Sequence, residues 1–328
     1  MDSPELERIV DLCQRGAPWV TLRECGRVEY GGTGFPLLGL TIGSRDRSAP
    51  TLGLFGGVHG LERIGSHVVL NALESLVARL SWDRSLQQQL ERARIVSMPV
   101  INPVGIARQT RANGNGVDLM RNAPVDAQGA VTPLVGGHRI GSWLPWYRGA
   151  EGEPMQVESQ ALIDFVAEEM FDSTFGLALD IHSGFGFVDR LWYPYARQTG
   201  GYEQESACAR LGDRLAEYDP HHVYRIEPQA KQYTTHGDLW DYAFERHRCT
   251  RGETGHVFLP WTLEMGSWAW VRKNPLQVFQ ALGFFNPIKP HRYARTMRRH
   301  ARLVEFLWSV LLSGPEILSS SQGAAKLN

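Results

Sequence analysis

His59 and Glu62 lie three residues apart in Gly56-Gly57-Val58-His59-Gly60-Leu61-Glu62. One imidazole and one carboxylate at that spacing can turn toward a common point, as two ligands of one metal ion must. Zinc takes His nitrogen and carboxylate oxygen, and a catalytic zinc needs a third protein ligand plus an open position for water. His182, in Asp180-Ile181-His182-Ser183-Gly184 at the end of an apolar run, supplies that third ligand. Asp180, two residues earlier, could orient it from behind. Two more polar groups stand at the ends of apolar runs: the stretch from Arg111 to Arg121, and Glu264 in Glu264-Met265-Gly266. Several chain segments converging in this way is the pattern of an α/β enzyme site. Each residue also has a plainer reading. The histidines could be hydrogen-bonded to backbone, Glu62 could be a favourable charge at a helix N-terminus, and Glu264 could close a salt bridge at a sheet end. Two His and one carboxylate would also suit iron.

The elements that must position these groups follow from periodicity. Thr51 to Phe55 is an apolar run that feeds the glycine-rich bend, and Arg63 to Leu80 leaves it as a helix. Pro36 to Ile42 is a second apolar run, expected to pair with the first. Pro4 to Arg15 reads as an amphipathic helix. Trp19 to Cys25 and Arg27 to Tyr30 read as short strands, Arg94 to Val100 as another. Asn102 to Asn122 has loop composition directly after a strand end, and Asp126 to Trp146 reads as a long loop. Helices are expected over Met155–Met170, Ser206–Tyr218, Gly237–His247, Asn274–Leu282 and Tyr293–Leu312. Strands are expected over Phe175–Ile181, Val223–Ile226 and Val257–Met265. This alternation predicts one α/β domain with helices on both sheet faces. The domain is expected to span residues 1–315, with a small, polar, disordered tail over 316–328.

Composition narrows the function class. The 328 residues are 43% hydrophobic with a net charge of −1, which favours neither nucleic acid nor an anionic membrane as partner. Cys13, Cys25, Cys208 and Cys249 are scattered, so a thiolate zinc site and a disulfide framework are both disfavoured. No apolar run reaches transmembrane length, and the acidic start of the chain is unlike a signal peptide. The expected setting is cytoplasmic.

With the segments taken in order, the chain resembles the zinc carboxypeptidase (funnelin metallocarboxypeptidase) family, as a divergent bacterial-type member. The carriers are His59-Gly60-Leu61-Glu62, Asn102-Pro103-Val104-Gly105, Arg111-Ala112-Asn113, Gly116-Val117-Asp118-Leu119-Met120-Arg121-Asn122, Glu158-Ser159-Gln160-Ala161-Leu162, His182, and Thr262-Leu263-Glu264-Met265-Gly266. The likeness covers roughly residues 50 to 285. It implies a mixed, twisted sheet of about eight strands and one zinc ion on His59, Glu62 and His182.

The resemblance also assigns roles. Glu264 would be the general base that takes a proton from water and passes it to the leaving amine. Arg111 would steady the oxyanion, with Arg108 as a substitute or a surface charge. Arg121 would clamp the substrate carboxylate, and Tyr233 would be the phenol over the substrate or an ordinary structural Tyr. Where most relatives carry Asn, this chain has Met120, which offers no amide to a carboxylate. Trp143, Trp146, Trp192, Trp261, Trp268 and Trp270 could line an aromatic pocket or be ordinary core. The expected substrate is a peptide or a small acylated amino acid. Two other readings stand beside carboxypeptidase: an N-acyl amino acid deacylase like aspartoacylase and succinylglutamate desuccinylase, and a non-catalytic peptide-binding relative.

Overall fold

A computed structural model describes residues 3–252, 256–280 and 282–318. The elements in chain order are α1 (Pro4–Arg15), β1 (Val20–Tyr30), β2 (Thr33–Gly43), β3 (Thr51–Gly56), α2 (Arg63–Arg79), α3 (Arg84–Leu90), β4 (Arg94–Met98), α4 (Pro103–Arg108), α5 (Val157–Met170), β5 (Phe175–Ser183), β6 (Arg190–Tyr193), α6 (Glu205–Tyr218), β7 (Arg225–Pro228), α7 (Leu239–Arg251), β8 (Val257–Met265), α8 (Trp268–Lys273) and α9 (Pro290–Ser313).

All eight strands join one mixed sheet in the order β1-β2-β4-β3-β5-β8-β6-β7. The four central strands, β4, β3, β5 and β8, run parallel, while β1, β2 and β6 run antiparallel to their inner neighbours. Every residue of β3, β4 and β5 is buried, which is why their sequences are continuous apolar runs rather than alternating ones. Helices α1, α2 and α9 pack together over one face, and α5 and α7 over the other. The core-facing stripe of α9 is Met297, His300, Leu303, Leu307, Val310 and Leu311, at helical spacing. Each fully buried Leu in such a stripe contributes about 1.5–3 kcal/mol.

The single α/β domain and its eight-stranded sheet match the sequence reading. Some local expectations do not hold. The runs at 36–42 and 51–55 are not partners; β4 lies between them. Hydrophobicity marks both as buried but carries no information on neighbour order. Val20–Tyr30 is one strand with an irregularity between Glu24 and Gly26, rather than two strands. The loop region after Asn102 holds the short helix α4 and a 3-10 turn, Leu119–Arg121. The helix expected from Asn274 is a 3-10 turn, Pro275–Phe279. Strand β6 and helix α8 were too short to read. Pro315–Leu318 forms a 3-10 turn with Leu318 buried, and the rest of the expected tail, 319–328, lies outside the described residues. Among the described residues no helix is long and apolar enough to cross a membrane.

The chain leaves β3 to form β4 on one side and returns to form β5 on the other, so β3 and β5 flank a topological switch point. In open α/β sheets ligands bind there, beyond the C-terminal strand ends. The bend after β3 is held tightly at this place. Gly57 has a φ of 69°, and a Cβ at Gly60 would lie 1.9 Å from the carbonyl carbon of Gly105 at the start of α4. Gly60→Ala therefore forces bend and helix apart. The expected cost is about 1–3 kcal/mol, as for other overpacked sites. It should appear as a lowered melting temperature together with weakened metal retention; a variant that melts with the parent would show the bend to be loosely packed.

Candidate metal centre and active site

His59 and Glu62 project from the bend after β3, and His182 is the penultimate residue of β5. Two asparagines brace the bend. Asn102 Nδ2 donates to the Val58 carbonyl while its Oδ1 caps α4 through Gly105 N. Asn286 Nδ2 donates to the Leu61 carbonyl at 2.7 Å, and its Oδ1 accepts from Ile64 N at 2.8 Å. With these backbone groups fixed, the two rings and the carboxylate meet: their ligand atoms all lie within 4.8 Å of one another.

The donor atoms suit a metal in detail. His59 Nδ1 and His182 Nδ1 are 3.3 Å apart, His59 Nδ1 is 2.9 Å from Glu62 Oε1, and His182 Nδ1 is 3.2 Å from Glu62 Oε2. Tetrahedral zinc with arms of about 2.05 Å sets its ligand atoms about 3.3 Å apart. Behind each ring stands a buried carboxylate. His59 Nε2 is 3.0 Å from Asp118 Oδ1, and His182 Nε2 is 2.7 Å from Asp180 Oδ2. Each Nε2–H then donates outward and each Nδ1 presents its lone pair inward. Two such lone pairs at this range need positive charge between them, either a proton or a cation. Trp240 Nε1 donates to the same Asp180 oxygen at 2.9 Å. Ser183 N donates to Glu62 Oε2 at 3.0 Å, and Arg111 Nη1 to Glu62 Oε1 at 3.3 Å.

The electrostatics agree. Burial pushes the Glu62 carboxyl up, but His59 and His182 outweigh it and hold the group well below the usual carboxylate range. Burial likewise opposes ionisation of Asp118, and Arg111 and His59 reverse it. Burial lowers the affinity of His182 for a proton, yet Asp180 and Glu62 raise it well above the ordinary histidine value. A proton and a metal cation compete for that same inward nitrogen, so metal affinity should fall in acid. Glu264 behaves in the opposite sense to Glu62. Burial, helped by the nearby Glu62 charge, pushes its carboxyl up to about 8; a dication in the triad would pull it back. Its Oε1 accepts from Phe185 N at 3.0 Å. Glu264 pairs in register with His182 across the parallel strands β8 and β5, about 4.8 Å apart.

These groups open into a cavity of about 540 Å³. Of the residues expected from sequence, His59, Glu62, His182, Glu264, Arg111, Arg121, Met120 and Tyr233 all line it. Arg121 is buried, and its guanidinium donates to backbone, from Nε to Val135 O at 3.3 Å and from Nη1 to Met120 O at 3.4 Å. Its carbon lies 6.0 Å from the Tyr233 ring centre. Arg108 is not part of the site. It sits exposed on the last turn of α4 with its guanidinium over Tyr30, because the other face of that turn, Val104 to Ile106, is the buried one.

The tryptophans divide. Trp146, Trp192 and Trp268 line the cavity, Trp143 is 77% exposed, and Trp261 is core, donating to Cys208 Sγ. Trp270 packs against the core from outside the cavity. Sequence reasoning missed Asp118 as the partner of His59, although it lies within a quoted motif; asking what receives the second nitrogen of His59 would have found it. It also missed Phe185, Gln229, Thr262, Phe284 and Phe285, most of which sit in turns with no periodic signal.

The pairing of a two-His, one-carboxylate triad with a buried glutamate defines the class of metal-assisted hydrolase sites. Residues 29–268 match the zinc carboxypeptidase family, and the chain belongs to that family. Carboxypeptidase D of Anas platyrhynchos is 26% identical over 250 residues, 72% of this chain and 17% of that protein. Carboxypeptidase SOL1 of Arabidopsis thaliana is 32% identical over 94 residues, 28% of this chain and 19% of that protein. The chain thus spans less than a fifth of the length of these curated relatives. The crystal structure of thrombin activatable fibrinolysis inhibitor superposes with a TM-score of 0.68 at 18% identity, covering 93% of this chain and 72% of that one, a likeness of fold.

Asp118→Asn keeps an acceptor for His59 but removes the charge that also holds Arg111 through its Nε at 2.8 Å. Zinc affinity measured by chelator competition should fall about 10–100-fold, as for other partners behind a metal ligand. Unchanged affinity would separate Asp118 from the metal.

Proposed function

We propose that this protein is a zinc-dependent hydrolase of amide bonds, of metallocarboxypeptidase type, acting on a peptide with a free C-terminal carboxylate. The observation that carries the proposal is the position of the His59–Glu62–His182 triad in one cavity with Glu264, Arg111 and Arg121.

Zinc held by the triad supplies Lewis acidity, polarising a carbonyl and making water acidic enough to attack near neutral pH. The chain's own residues do the rest. Glu264, buried and with its proton affinity raised toward neutrality, can accept a proton from the attacking water and return it to the leaving amine. Arg111, fixed by Asp118 and Glu62, places a permanent cation beside the position where oxygen gains charge. Arg121 is a buried cation without a carboxylate partner among the described residues. A substrate carboxylate would offset the several kcal/mol that burying an unpaired charge costs, which fixes the chain end one residue from the reacting bond. Met120 lines the same wall and adds only apolar contact. The rings of Phe185, Trp192, Tyr233 and Trp268 exclude water from the cavity and strengthen these interactions.

Glu264→Gln keeps shape and burial but cannot move a proton. It should retain stoichiometric zinc and product binding while turnover of C-terminal peptides falls about 10²–10⁴-fold. A variant at the parental rate would remove Glu264 from proton transfer. Hydrolysis of N-acyl amino acids without peptide cleavage would assign the deacylase activity instead.

A further inference from the structure

A second groove of about 610 Å³ lies beside the catalytic cavity, lined by Arg272 and Lys273 of α8 and by His291, Arg292, Arg295 and Arg299 of α9. The chain as a whole carries a net charge of −1, so this concentration of cations is local. The groove's own carboxylate, Asp189, is occupied: Oδ1 accepts from Gly266 N at 2.9 Å and Oδ2 from Arg299 at 2.7 Å. Among the described residues no carboxylate pairs with Arg272, Lys273, Arg292 or Arg295. Arg292 donates to the Trp270 carbonyl, and Arg272 lies 5.2 Å from the Phe187 ring centre, so both are positioned without being neutralised.

Two features say what fits. Arg292, Arg295 and Arg299 recur at helical spacing along one side of α9 and span about 10 Å; with Arg299 held by Asp189, the charges left without a carboxylate among the described residues are Arg292 and Arg295 of α9 and Arg272 and Lys273 of α8. A row of that length matches an extended chain with several negative charges better than one compact anion. The groove also abuts the catalytic cavity: Phe187 in the groove meets Trp268 of the cavity wall, ring centres 5.7 Å apart, and β8 carries Glu264 in the cavity and leads directly into Gly266 in the groove. We propose that this groove is an exosite for an acidic segment of the peptide substrate, upstream of the bond that is cut. It rests on the peptide-hydrolase reading for its role, while binding in the groove can be measured separately.

The test uses two labelled peptides with the same C-terminal residues, one with three glutamates upstream and the other with three glutamines. The acidic peptide should show a KM about tenfold lower at equal kcat, through electrostatic complementarity, and lose that advantage in about 0.5 M salt. Lys273→Glu/Arg295→Glu should abolish the difference and leave the neutral peptide unaffected; Lys273→Gln/Arg295→Gln, milder for folding, should reduce it. Equal KM for the two peptides, or an advantage that survives both double variants, overturns the exosite. If neither peptide is hydrolysed, fluorescence anisotropy decides. Salt-sensitive binding of the acidic peptide that is lost in the double variant supports the groove and overturns the hydrolase reading, and no binding overturns the groove. Displacement by inorganic phosphate at concentrations where equal chloride has no effect would make it a compact-anion site and overturn the peptide proposal.

Discussion

Two ring nitrogens held 3.3 Å apart, each with a buried carboxylate behind its ring, are the constraint around which the rest of the molecule is arranged. Such a pair is unstable without positive charge between its members, and Glu62 closes the third side with an oxygen near each nitrogen. Removing three carboxylates from water costs several kcal/mol apiece unless cations and hydrogen bonds offset it. Among the described residues Arg111 is the one permanent side-chain cation in hydrogen-bond contact with them, so with each ring presenting a lone pair inward the cluster keeps an excess of negative charge that suits a divalent ion. The fold maintains this state with the rigid centre of a parallel sheet, whose strands β3 and β5 are buried on both faces.

The same burial drives two glutamates in opposite directions. Glu62 lies between imidazoles and stays ionised, while Glu264 lies among rings and near the Glu62 charge and tends to hold a proton. Environment alone can therefore set one residue type to stay charged or to hold a proton. Arg121 extends the pattern: its buried charge touches backbone carbonyls and the Tyr233 side chain, with Asp118 and Asp238 acting on it from further away.

Much of this was legible in the chain. The His59–Glu62–His182 cluster could be read because its residues stand in the bend after one apolar run and at the end of another, and because His-x-x-Glu across a glycine bend is an unusual local signal. The fold class was legible because strands buried on both faces are written as unbroken apolar runs. Sheet order was not, since β4 inserts between β2 and β3 through contacts distant in sequence. Nor was the orientation of single side chains: Arg108 and Arg111 are three residues apart in one loop region, yet one faces solvent over Tyr30 and the other the triad. The turn that ends α4 separates them, with Gln109 at a φ of 55°. Likewise nothing in composition distinguishes Trp146 and Trp268, which line the cavity, from Trp261 in the core. Asp118 was visible as a letter of a motif, but its role emerged only once its distance to His59 was known.

The central claim is that one zinc ion binds between these three side chains. The most direct measurement is anomalous diffraction at the zinc absorption edge from crystals of zinc-loaded protein. The account predicts a single strong peak about 2.0–2.2 Å from His59 Nδ1, His182 Nδ1 and a Glu62 carboxylate oxygen. A peak elsewhere, or none when zinc is present in excess, would contradict it.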